Sequence, residues 1–194
     1  MEIIFSKLHG QGNDFILINN IKNSLSLSKE EITYLCDRHF GIGADGLILV
    51  RDSKIGDFKM DYFNQDGSRA EMCGNGIRCM AKFIYEKNIS GKANLSIETL
   101  AGIKNICMDI SNGCVGNIKV NMGKPMFSPE KIPVKIEGME EVFNYNLKIN
   151  SKTFMVNLVS MGNPHCVIFL EEEEDLENFD IKKWGAAMEK HPIY

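Results

Sequence analysis

The chain has 194 residues, 44% hydrophobic and 25% charged, with 17 glycines and 5 prolines. That length holds one large domain or two small ones, each with a core, and the balance is not that of a disordered chain. A net charge of −4, without any Lys/Arg cluster, argues against a nucleic-acid partner.

The opening MEIIFSKLHG has no basic region followed by a long apolar run, and no later stretch reaches the length of a membrane span. The expected location is therefore cytoplasmic, with no membrane partner, and the sequons at Asn88 and Asn94 go unused. The six cysteines, at 36, 73, 79, 107, 114 and 166, form no C-x-x-C pair. Neither a zinc site nor a set of disulfides is expected from that scatter in a reducing compartment.

In chain order, Glu2–Lys7 and Asp14–Asn20 read as strands flanking the turn HGQGN. Ser28 with Glu31 forms a capping box, which predicts a helix to about Arg38. LILV follows as a buried strand, then FKMDYF with Phe58, Met60 and Tyr62 on one face. Ile77, Met80, Ala81 and Ile84 make one apolar stripe, predicting a helix from Ile77 to about Lys87, stopped by Asn88 and Gly91.

Strands are predicted in NLSIETL, IKNICMDI and VGNIKVNM, and MGKPMFSPEKIP reads as a boundary segment. Further strands fall near Val142–Ile149, Phe154–Ser160 and Cys166–Leu170, then an acidic surface run Glu171–Asp175 and a helix from Ile181 to Glu189. Tight turns join most of these strands, which predicts an α+β fold of antiparallel sheets rather than a doubly wound parallel one.

GIGADG has the spacing of a dinucleotide fingerprint, but a helix precedes it and a strand follows. The helix N-terminus that would meet a pyrophosphate is therefore missing, and tight-turn glycines account for the motif. The segment NQDGSRAEMCGNGIRC is different. Cys73 stands directly before Gly-Asn-Gly where the amphipathic helix opens, a place whose unpaired N–H groups and dipole favour an anion. A thiol there suits acid/base work, and the glycines expose N–H donors for a substrate carboxylate or its carbanion. A buried inert thiol would need no such glycines. VSMGNPHCVIF places Gly162–His165 in a loop between two apolar strands, where His165 could orient a thiol or simply sit in a surface turn.

Taken together, FSKLHGQGNDF, RHFGIGADGLI, YFNQDGSRAEMCGNGIRC, ETLAG and VSMGNPHCV resemble the diaminopimelate epimerase family, in order and over essentially the whole chain. The resemblance implies a cofactor-free isomerase that interconverts LL- and meso-diaminopimelate, precursors of lysine and peptidoglycan. It implies two similar α+β domains, antiparallel sheet around a central helix, with the active site between them. The domains would be residues 1–121 and 122–194, the second incomplete.

By the same resemblance Cys73 is one of two catalytic thiols, with His165 beside the thiols as support. Gly74 and Asn75 bind substrate through the helix N-terminus, and Asn13, Asn64 and Asn163 contact its polar groups. Gly46 stands where some members carry a glutamine, so that contact is absent. The second catalytic cysteine, with an acidic–basic pair that grips substrate, is expected beyond Tyr194, since Cys166 belongs to a strand. The chain is accordingly expected to be C-terminally truncated and inactive alone. No metal and no cofactor is expected; the partner is a small amino-acid substrate, with a homodimer left open. The competing readings are a racemase of another amino acid and a non-catalytic binding remnant.

Overall fold

The structure is a computed structural model and describes residues 2–170 and 176–194. The acidic run Glu171–Asp175 lies outside the described residues. The chain forms two compact units, Met1–Met122 and Gly123–Tyr194.

The first unit is a seven-stranded sheet in sequential order. Its strands are β1 (Ser6–Gly10), β2 (Asn13–Asn19), β3 (Gly46–Arg51), β4 (Phe58–Asn64), β5 (Asn94–Thr99), β6 (Gly102–Ser111) and β7 (Cys114–Asn121). Helix α1 (Lys29–Cys36) connects β2 to β3, and α2 (Gly74–Glu86) connects β4 to β5.

The fold class is α+β, but the sheet is not wholly antiparallel: β2 with β3 and β4 with β5 run parallel. The physical reason is the helices. A two-residue turn reverses a strand, whereas a helical crossover carries the chain back to the starting end.

The parallel pair β2–β3 is buried on both faces, which is why FILI and LILV read as unbroken apolar runs. Phe15, Leu17, Ile48 and Val50 join the core under α2, while Ile16, Ile18, Leu47 and Leu49 join a smaller core under α1. Helix α2 is the centre of the unit. Ile77, Met80, Ala81 and Ile84 are fully buried, and both edge strands, β1 and β7, touch the helix, so the sheet curls around it.

The first strand is displaced from the sequence reading, beginning at Ser6 and including His9 and Gly10. Gln11 and Gly12, both at positive φ, make the two-residue turn of the β1–β2 hairpin and pair Gly10 with Asn13. Ahead of the strand, Ile4 is 85% exposed. Helix α1 ends at Cys36, with Asp37 extended as C-cap. That leaves Arg38 free of the helix.

The second unit is a three-stranded antiparallel sheet, β8 (Tyr145–Ile149), β9 (Lys152–Ser160) and β10 (Pro164–Ile168), with α3 (Ile181–Glu189). Trp184 of α3 meets Phe154 edge-on at 5.1 Å. Strand β8 starts three residues later than expected because Asn144 adopts a positive φ. Strand β10 starts earlier than expected, at Pro164, and ends at Ile168. Proline is tolerated there because it opens an edge strand. His165 therefore lies on a strand, opposite Val159, and not in the loop.

Candidate active site

Helix α2 begins on Cys73, which is extended (φ −137°, ψ 121°) and whose Sγ accepts from the Gly76 N–H at 3.5 Å. The thiol is thus the N-cap, a weak acceptor in a position usually held by Ser, Thr, Asp or Asn. The first turn is Gly74–Asn75–Gly76 and contains no acidic residue, so the dipole is not answered from within the helix. Gly76 packs closely: a Cβ there would stand 3.1 Å from Ile48 Cδ1 and 3.2 Å from the Met60 methyl, so both side-chain ends would have to give way by a few tenths of an ångström. Its absence lets the helix start sit down on β3 and β4.

Asn13, at the start of β2, reaches the same point. Its Oδ1 lies 3.6 Å from Cys73 Sγ and 3.5 Å from Asn75 Nδ2, while its Nδ2 donates to Asp45 at 2.8 Å. Asn75 Oδ1 in turn accepts from Arg78 at 2.5 Å. Arg38, released past α1, donates to both Asp14 and Asp45. Lys7 is 3.2 Å from Asp14. The Arg38 guanidinium, with Lys7 behind it, holds the Asp14 carboxyl far below the usual carboxylate range against the opposing effect of burial.

Of the residues singled out in the sequence, Cys73, Gly74, Asn75 and Asn13 are brought together. Asn64 closes β4 opposite Gly46, and its Nδ2 donates to Ser68 Oγ at 3.0 Å. In the second unit, His165 Nε2 and Asn163 Oδ1 are 3.1 Å apart.

The charged set Asp14, Arg38, Asp45 and Arg78 was not read from the sequence. Asp45 bonds to Asn13 across 32 positions and Arg38 to Asp14 across 24, while Arg78, three residues past Asn75, had only its place in a glycine-rich motif to hint at a role. The remaining thiols differ from Cys73. Burial pushes Cys36 and Cys79 up to about 11, whereas Cys107 and Cys114 are exposed on β6 and β7. No group of residues suited to holding a metal occurs among the described residues. No described helix is long and apolar enough to cross a membrane.

The family model for diaminopimelate epimerase matches residues 5–128. A diaminopimelate epimerase of Leptospira biflexa is 41% identical, over 100% of this chain and 69% of its own length. That of Halothermothrix orenii is 48% identical, over 100% and 68%. The chain belongs to the diaminopimelate epimerase family. It spans about two thirds of the length of these curated relatives, and 66% of one from Methanococcus maripaludis that is 45% identical.

Solved structures extend the family's fold. A probable proline racemase from Agrobacterium radiobacter K84 superposes with a TM-score of 0.63 at 11% identity, covering 86% of this chain and 52% of that one. A hydroxyproline epimerase from Agrobacterium vitis gives 0.60 at 12% identity, over 93% and 52%. At such identities the likeness is one of fold alone.

Within this family member, Gly46 has its own structural reason. A Cβ at that position would stand 2.6 Å from the Phe63 carbonyl oxygen and 2.7 Å from the Tyr62 ring. Tyr62 fills the space, and burial pushes its phenol up to about 12, with the Cys73 and Asp45 charges adding to the effect.

Proposed function

We propose that this chain supplies the Cys73 side of a cofactor-independent, two-thiol epimerase that interconverts LL- and meso-diaminopimelate. The observation that carries the reading is the thiol capping an otherwise uncapped helix start, beside Asn13 and ahead of Gly-Asn-Gly. Inverting Cα requires a base on one face and an acid on the other, and a thiol can serve as either according to the handedness of the substrate. Cys73 exchanges the α-proton on its face. The N–H groups of Gly74 and Asn75 at the start of α2, which have no partner inside the helix, receive the substrate carboxylate as it gains enediolate character.

Gly74 and Asn75 would bind substrate through that helix start, with Asn13, Asn64 and Asn163 on its polar groups and His165 as support for the thiols. Residues 1–121 form the domain of the first thiol, and 122–194 belong to the second domain. The protein works in the cytoplasm on a small amino acid, and a homodimer fits this reading. A racemase of another amino acid and a binding remnant are less well supported, because the curated relatives described above are diaminopimelate epimerases.

None of the other five cysteines caps a helix: Cys36 and Cys79 lie within α1 and α2, and Cys107, Cys114 and Cys166 lie on strands. One such thiol removes a proton from one face but cannot deliver one to the other. The test is incubation with LL-diaminopimelate in deuterated water, reading the meso/LL ratio and the label at Cα. The 194-residue chain alone is expected to produce no meso isomer, while label with retained configuration would show a chemically competent single thiol. Conversion to the meso isomer by the isolated chain would contradict the two-thiol scheme and direct attention to His165 or Cys166 as the second acid.

A further inference from the structure

Asp45 and Arg78 stand at opposite ends of a short chain of hydrogen bonds that passes beside Cys73. A carboxylate only accepts and a guanidinium only donates. The Asp45 carboxylate therefore draws the Asn13 NH2 group toward itself, at 2.8 Å, and turns the Asn13 carbonyl toward the thiol. The Arg78 guanidinium draws the Asn75 carbonyl toward itself and turns the Asn75 NH2 toward Asn13 Oδ1. Both amides point the same way, and each end group enforces the orientation the other requires. Arg38 holds Asp45 in place through its other oxygen at 2.8 Å, and the Asp14 N–H donates to the oxygen that takes Asn13.

We propose that Asp45 and Arg78 are the positioning residues of the Cys73 site, locking the amides of Asn13 and Asn75 so that a carbonyl, and not an NH2, faces the thiol. This rests on the reading of Cys73 as the reacting thiol. Its consequence is balance. The sulfur accepts from the Gly76 N–H at 3.5 Å and faces the Asn13 carbonyl at 3.6 Å, a donor on one side and an acceptor on the other. A residue that must act as base in one direction and acid in the other needs both. An Asn13 free to turn would present a second donor to the sulfur and tip it toward the anion. The charged groups around this point are Asp14, Asp45, Arg38 and Arg78, with Lys7 on Asp14 at 3.2 Å, while the Tyr62 phenol, pushed up to about 12, stays neutral near pH 7.

The experiment follows the thiol itself, so it stands whether or not the chain epimerises anything. The alkylation rate of Cys73 is measured against pH by peptide mapping in the unaltered chain and in Asp45→Asn, Asp45→Glu and Arg78→Met. Asp45→Asn permits the Asn13 amide to turn, and the profile should move to lower pH by half a unit or more, about a threefold faster reaction near neutrality. Arg78→Met releases Asn75 from its bond and leaves the Asn13 carbonyl to the thiol alone, moving the profile to higher pH. Asp45→Glu, still an acceptor-only carboxylate, should restore the unaltered profile.

Both shifts should survive about 1 M salt, where screening acts beyond about 3 Å, with little change in melting temperature. Profiles that coincide with that of the unaltered chain, shifts of the same sign in Asp45→Asn and Arg78→Met, or shifts abolished by salt would overturn the proposal. Should Asp45→Asn not fold, the sign and salt dependence of Arg78→Met decide the matter.

Discussion

Helices α1 and α2 begin in opposite ways. At α1, Ser28 Oγ accepts from the Glu31 N–H at 3.2 Å and Glu31 Oε2 accepts from the Ser28 N–H at 2.7 Å, a closed capping box with Glu30 and Glu31 answering the dipole. At α2 the cap is a thiol, the first turn has no acid, and the residues are Gly, Asn and Gly. The first start is finished for stability, whereas the second leaves its donors available to something outside the helix. On the reading proposed above, that contrast marks the start of α2 as the reactive end of an otherwise well-made helix, whose apolar stripe is fully buried.

The largest effect expected from that contrast is chemical. In a complete enzyme carrying this sequence, Cys73→Ala should lower epimerisation by at least about 10³-fold, since a methyl group carries no proton. Cys73→Ser sharpens the point. Serine is a better N-cap than a thiol, so stability should hold or rise by up to about 1 kcal/mol while activity is still lost. Thermal melting together with the meso/LL ratio reads both, and retained activity in the serine variant would break the link between the open start and proton transfer.

The next effect concerns the rest of α2. Met80→Ala or Ile84→Ala, each removing a fully buried side chain from the main core, should cost about 2–5 kcal/mol in denaturant unfolding. At α1, Ser28→Ala should cost only about 1 kcal/mol and leave the reactivity of Cys73 unchanged.

The smallest effect is a dependence on pH. Cys36 and Cys79 are raised from an ordinary 9.0 to about 11 by burial, so between those values the native chain holds protons that the unfolded chain has lost. Stability from these thiols is therefore full below about pH 9 and declines as pH rises toward 11. Unfolding midpoints across that range check it, and replacing both residues by alanine should flatten the slope.

Local signals accounted for most of the fold. The capping box at Ser28 and Glu31, the stripe from Ile77 to Ile84 and the span of α3 could be read because each is written within a few consecutive residues. The parallel pairing of β2 with β3 could not, because turn residues reveal hairpins but nothing in FILI or LILV states which way a crossover returns. The same limit governs the site. The placement of Cys73 at a helix start was legible from its glycines, but Asp45 reaches Asn13 across 32 positions, a contact that only the parallel pairing of β2 with β3 creates. His165 was misplaced because proline ordinarily ends a strand, and only an edge strand such as β10 excuses it.

The central claim is that the open start of α2 makes Cys73 the chemically active thiol, and limiting alkylation of the folded chain at neutral pH tests it most directly. All six cysteines are mapped by mass spectrometry after a small fraction of the thiols has reacted. Cys107 and Cys114 are exposed while Cys73 is half-buried, so access alone would place the strand cysteines first. The account predicts that Cys73 is labelled ahead of both, with Cys36 and Cys79 last. Labelling that follows exposure, with Cys107 and Cys114 leading and Cys73 behind them, would contradict it.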